Sequence, residues 1–159
     1  VRHLPTGPAS RRRTRLAAGL AIGLTAGLLS GCGGDPYAGY CDAVRDHRQA
    51  LSRTLDAGGQ EALLKALPTF EELRDEAPSD IRDEWTTLTG ALTELQAALD
   101  AAGVDAATYD PAAPPAGVSA AERDRIAAAA AAVGGERTRA ALAAVDQQAR
   151  DVCHGALTV

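Results

Sequence analysis

The sequence predicts an all-α protein, a compact bundle of four or five helices over residues 37–159. Three observations lead there. Apolar residues recur at spacings of three and four, the period of one helix face. No stretch shows the apolar–polar alternation of a half-buried strand. Glycine pairs and prolines interrupt the periodic segments where turns between helices are needed.

Tyr40, Val44, Leu51 and Leu55 share the stripe of a first helix, with Cys41 beside it, and Gly58-Gly59 ends it. Leu63, Leu64, Leu67, Phe70 and Leu73 recur at helical spacing in the next segment. Pro68 falls among them and predicts a kink or two short helices, because proline has no N–H to give the ladder. The clearest helix begins near Pro78-Ser79-Asp80. Ile81, Trp85, Leu88, Leu92, Leu95 and Leu99 alternate four and three residues apart, the seam of a helix packed in a bundle, and Gly103 stops it.

Residues 104–118 read as a loop, since Tyr109-Asp110-Pro111 and Ala113-Pro114-Pro115 oppose regular structure. Ser119-Ala120-Ala121-Glu122 has the spacing of a capping box. Its helix runs through Ile126 and Ala127–Ala132 to Val133, and Gly134-Gly135 breaks it. A last helix carries Leu142, Val145, Ala149 and Val152 on one face, with Cys153 adjacent.

The first 31 residues have a different character. Arg11-Arg12-Arg13-Thr14-Arg15 precedes the apolar run Leu16–Leu29, which closes on Leu29-Ser30-Gly31-Cys32. A basic head, an apolar middle and small residues at the end are the anatomy of an export signal. The run covers 14 residues and holds Gly19, Gly23 and Gly27, whereas a spanning helix needs about 20 apolar residues. The Leu29-Ser30-Gly31-Cys32 stretch resembles the lipobox of bacterial lipoproteins. That resemblance implies cleavage before Cys32 and a diacylglycerol on its sulfur. The expected organisation is a signal peptide over 1–31, a short lipidated tether over 32–36 and a helical domain over 37–159. Ser10-Arg11-Arg12 resembles the start of a twin-arginine signal, but Thr14 and Arg15 stand where that family has an apolar pair, so the export route stays open.

The signal carries five arginines and no acid. Removing those five from the 16 Lys and Arg leaves 11 basic against 21 acidic residues, a net charge of −10. That sign argues against nucleic acid as a partner and against electrostatic binding to anionic lipid. Attachment would fall to the acyl chains, two of which hold stably where one holds marginally. With Cys32 assigned to lipid, Cys41 and Cys153 remain. In an oxidising compartment they are expected to pair, linking the first helix to the last and bringing the C-terminus near the membrane-proximal end. Two free buried cysteines are the alternative.

Signals for chemistry are weak. His47 lies one turn beyond Val44 at the edge of the first stripe and reads as a boundary histidine rather than a proton carrier or metal ligand. His154 follows Cys153, but no Cys-x-x-Cys or His-x-x-x-His supports zinc, and an oxidised Cys153 offers no thiolate. Glu71, Glu72, Asp75, Glu76, Asp80, Asp83 and Glu84 form a dense acidic stretch without the oxygen offsets of a calcium loop. It reads as a solvated rim, with the docking of a basic partner as the alternative. Trp85 and Phe70 read as core. Tyr37 and Tyr40 suit either a membrane boundary or packing beneath the disulfide. Gly-x-x-x-x-Gly-Lys-Ser/Thr, Gly-x-Ser-x-Gly and His-Glu-x-x-His are all missing from the sequence.

Tyr40-Cys41-Asp42-Ala43-Val44, Ala77-Pro78-Ser79-Asp80-Ile81 leading to Trp85, and Val152-Cys153 are similar to stretches of small helical actinobacterial lipoproteins of unassigned activity. The resemblance implies export, a disulfide and a bundle, and transfers no catalytic residue. The expected function is a membrane-anchored extracytoplasmic protein, lipidated at Cys32, that binds or scaffolds an envelope partner. No enzymatic activity, cofactor or metal is expected. The alternative is a small-ligand or metal-binding accessory protein of a membrane transporter or sensor.

Overall fold

A computed structural model describes residues 35–59 and 61–159. The signal, the lipobox and Cys32 lie outside the described residues. Five helices follow in order: α1 (Ala38–Asp56), α2 (Ala62–Glu76), α3 (Arg82–Ala101), α4 (Ala120–Val133) and α5 (Glu136–Cys153). No strand occurs among the described residues. None of these helices is long and apolar enough to cross a membrane.

α3 is the central element, packing on α2, α4 and α5, while α1 lies mainly on α2. The principal core joins α1, α2, the first half of α3 and α5, with Tyr40, Phe70, Trp85, Leu88, Leu92 and Val145 almost wholly enclosed. A second, smaller core joins the end of α3 to α4 through Leu99, Tyr109, Ile126 and Ala129. The seam expected along α3 is therefore divided, its early residues serving one core and Leu99 the other.

Local chemistry sets several of the helix ends. The Asp35 carboxylate accepts the Tyr37 N–H at 2.9 Å and its carbonyl accepts the Ala38 N–H, so the turn at Pro36 leads into α1. Gly58 and Gly59 take left-handed φ values of 66° and 93° and close it. α2 runs unbroken through Pro68, so the two-helix alternative does not occur. Pro68 is exposed, while Ala66, Leu67, Phe70 and Leu73 are buried on the opposing side. Burial of that face offsets the missing hydrogen bond, whose loss with the ring clash costs about 3 kcal/mol in a helix interior. Ala77 ends α2 in an extended conformation, as the residue before Pro78 prefers. Its carbonyl then accepts both Arg82 Nε and Nη2, at 3.2 and 2.7 Å, which ties the α2–α3 turn.

α3 ends in a Schellman motif. Val104 N–H reaches the Leu99 carbonyl, Gly103 N–H reaches that of Asp100, and Gly103 supplies the left-handed φ of 65°. The expected capping box is present at α4: Ser119 Oγ accepts the Glu122 N–H, and the Glu122 carboxylate accepts the Ser119 N–H at 2.7 Å. Replacing Ser119 with alanine is expected to cost about 1 kcal/mol, read from the denaturant midpoint. Hydrogen bonds from the Ser119 hydroxyl and then its amide hold the Glu122 carboxyl below the usual carboxylate range. The sign follows from that lowering. The cap's charged-state contribution is complete at neutral pH and is lost as acidification protonates Glu122 in the folded chain.

Cys41 and Cys153 form a disulfide, Cα to Cα 5.1 Å, joining α1 to α5 across 112 residues of sequence. The bridge fixes Cys153 near the start of α1. The chain after it does not stay there. His154 adopts a left-handed φ of 55° and turns the last residues back along α1, where Leu157 is buried and the Val159 N–H bonds Ser52 Oγ at 2.7 Å. The C-terminus thus lies beside the later turns of α1, a correction to its expected place at the opposite end.

Candidate functional site

The reversed tail builds an apolar cleft on the surface of the principal core. Leu51 and Leu55 of α1, Phe70 of α2, Leu142 of α5 and Leu157 of the tail line a cleft of about 360 Å³. Two hydrogen bonds hold the tail as its wall. The Leu157 N–H donates to Asp146 Oδ1 at 3.1 Å, and the Val159 N–H donates to Ser52 Oγ. Ser52 is itself buried and donates to the Arg48 carbonyl one turn back, at 2.9 Å. Arg139 and Asp146 supply the cleft's charged groups. Asp146 is already engaged, since Arg150 binds its Oδ2 through both Nε and Nη2 at 2.9 Å. Arg139 has no acidic partner within ion-pair distance among the described residues.

A second feature lies between α1 and α2. His47 Nε2 stands 2.9 Å from Glu72 Oε2, with its side chain about one-third exposed at 32%. Asp46, Asp75 and Glu76 line the same open groove. His47 is a boundary residue, as its place on the stripe implies, and it also spans two helices. The spacing along one helix carries no sign of that second role. Asp42, its near neighbour in sequence, pairs instead with Arg45 at 2.7 Å. No group of three or more His, Cys, Asp or Glu side chains among the described residues is arranged to hold a metal ion.

The remaining candidates fall into place by burial. Within the acidic stretch, Glu72, Asp75, Glu76, Asp80 and Asp83 are exposed, the solvated rim expected of them. Cys153 is oxidised, so it presents no thiolate beside His154. Trp85 is core, and its indole N–H donates to Tyr40 Oη at 3.2 Å, with the Phe70 ring 5.8 Å away. Tyr40 is 1% exposed, which corrects the membrane-boundary reading for that residue. A phenol whose hydroxyl meets a buried indole is satisfied inside the fold and gains nothing at a headgroup surface. Tyr37 is half-buried at the N-cap of α1.

The cleft and its tail are missing from the sequence reading. Leu157 is a single apolar residue beyond a helix end, with no periodicity to mark it. Gly155 is the one local hint: a side chain there would come within 3.0 Å of Arg48 Nη1, because the returning chain passes close to α1. No protein-family profile, curated protein or solved structure matches the chain.

Proposed function

We propose that this protein is exported, lipidated at Cys32 and held at the outer face of a bacterial cell membrane, where its helical domain acts by binding. One observation carries the reading: the basic head and apolar run that end on Leu29-Ser30-Gly31-Cys32. The Cys41–Cys153 bridge supports it, because stable disulfides belong to oxidising compartments. The tether from Cys32 to Pro36 is short, which favours a partner in the envelope close to the bilayer. No catalytic step is assigned to the domain, since its sequence lacks the spacing of a known nucleophile or phosphate-binding motif.

The cleft beneath the tail favours a second reading of the binding role, in which the partner is a small ligand and the domain serves a transporter or sensor. Its size falls at the lower end of ligand sites, which run roughly 300–1,000 Å³.

Replacing Cys32 with alanine tests the anchor. The wild-type chain is expected to sediment with membranes through a high-salt wash and to be freed by detergent. The C32A chain is expected either to remain uncut, keeping residues 1–31 and no lipid mass, or to leave the membrane. Identical fractionation, with chain masses that differ only by the one sulfur atom of the substitution, would contradict the proposal.

A further inference from the structure

We infer that the cleft between α1, α2, α5 and the C-terminal tail binds a small amphiphilic anion, with its apolar body against Leu51, Leu55, Phe70, Leu142 and Leu157 and its carboxylate on Arg139. The inference rests on the small-ligand reading and not on the anchor at Cys32.

Shape and charge of the lining select the occupant. Apolar side chains dominate the lining, so the occupant's buried part carries few polar atoms. Two charged groups border the cleft, and they differ in their commitments. Asp146 has its Oδ2 on Arg150 and its Oδ1 on the Leu157 N–H, so its charge is compensated and it fixes the wall. Arg139 is exposed on α5 and has neither an ion pair nor a side-chain hydrogen bond among the described residues. A guanidinium without a partner at the edge of an apolar surface matches a carboxylate head joined to a short hydrocarbon body. A cation is disfavoured by Arg139, and a neutral molecule leaves Arg139 unused. The tail also supplies a route of entry. Residues after the disulfide rest on α1 and α5 through Leu157 and two amide hydrogen bonds, so releasing them opens the cleft at the cost of one principal-core side chain.

The test uses the full chain in phosphatidylcholine vesicles and two photoactivatable probes, a short alkyl-diazirine carboxylate and the alcohol of the same length. Labelled peptides are mapped by mass spectrometry. The carboxylate is expected to label α1 around Leu51–Leu55, α5 around Arg139–Leu142 and the tail around Leu157. R139E is expected to lower labelling by the carboxylate about tenfold or more while sparing that by the alcohol, the size of a lost charge-assisted hydrogen bond. A143W, at an exposed position lining the cleft, is expected to lower labelling by both. Labelling spread evenly over the chain overturns the site. Equal labelling of R139E and wild type by the carboxylate overturns the anion. Neither result bears on whether Cys32 carries lipid.

Discussion

Replacing Cys41 and Cys153 together with alanine is expected to lower stability by about 4–5 kcal/mol, the chain-entropy value for a loop of this length and an upper figure in that treatment. The two cysteines stand 112 residues apart, so the bridge closes nearly the whole described domain. In the unfolded chain it removes the extended states that separate α1 from α5. In the folded chain α1 and α5 share few other contacts, and the bridge is their main tie at that end. The melting temperature is expected to fall on the order of 15 °C. Reductant added to the wild-type chain should reproduce the loss and leave the double variant unchanged. Equal midpoints for wild type and C41A/C153A would show that α1 and α5 hold their places without it.

The second large effect is expected at Trp85. It is fully buried, packs against Phe70 and donates its indole N–H to Tyr40. W85A is expected to cost about 3–5 kcal/mol, through the cavity and the lost contacts together. Y40F is expected to cost about 1–3 kcal/mol, because it leaves the indole N–H buried and unpaired. The two changes share one hydrogen bond. W85F combined with Y40F should therefore cost less than the sum of the single losses. Additive losses would mean the bond contributes nothing. Burial raises the Tyr40 phenol above its usual value, with the Trp85 hydrogen bond opposing the rise. Its neutral form thus contributes stability that is complete below the ordinary tyrosine range and is lost as pH climbs through the raised value.

Most of the helical framework was legible because its causes are local. The Ser119–Glu122 box, the glycine stops at Gly58-Gly59 and Gly103, and the seam from Ile81 to Leu99 each depend on residues within a turn or two of one another. The pairing of Cys41 with Cys153 followed from the cysteine count once Cys32 was assigned elsewhere. Features that depend on distant residues were not legible. Pro68 predicts a break by its own chemistry, but Leu67, Phe70 and Leu73 are buried on neighbouring helices and keep α2 whole. Tyr40 suits two environments, and only the position of Trp85 selects one. The alanine run predicts α4 without predicting its buried face, which reduces to Ile126 and Ala129. The cleft needed Leu51, Leu142 and Leu157 from three separate segments, and a returning tail has no periodic signature.

The proposed role depends on the sulfur of Cys32 anchoring an exported binding protein. Mass spectrometry of the intact protein from its own cells decides whether that anchor exists. The expected species is a chain that begins at Cys32, carries the added mass of a diacylglycerol and lacks two further hydrogens because of the Cys41–Cys153 bridge. A native chain in which Cys32 is unmodified and still joined to Gly31 would contradict it.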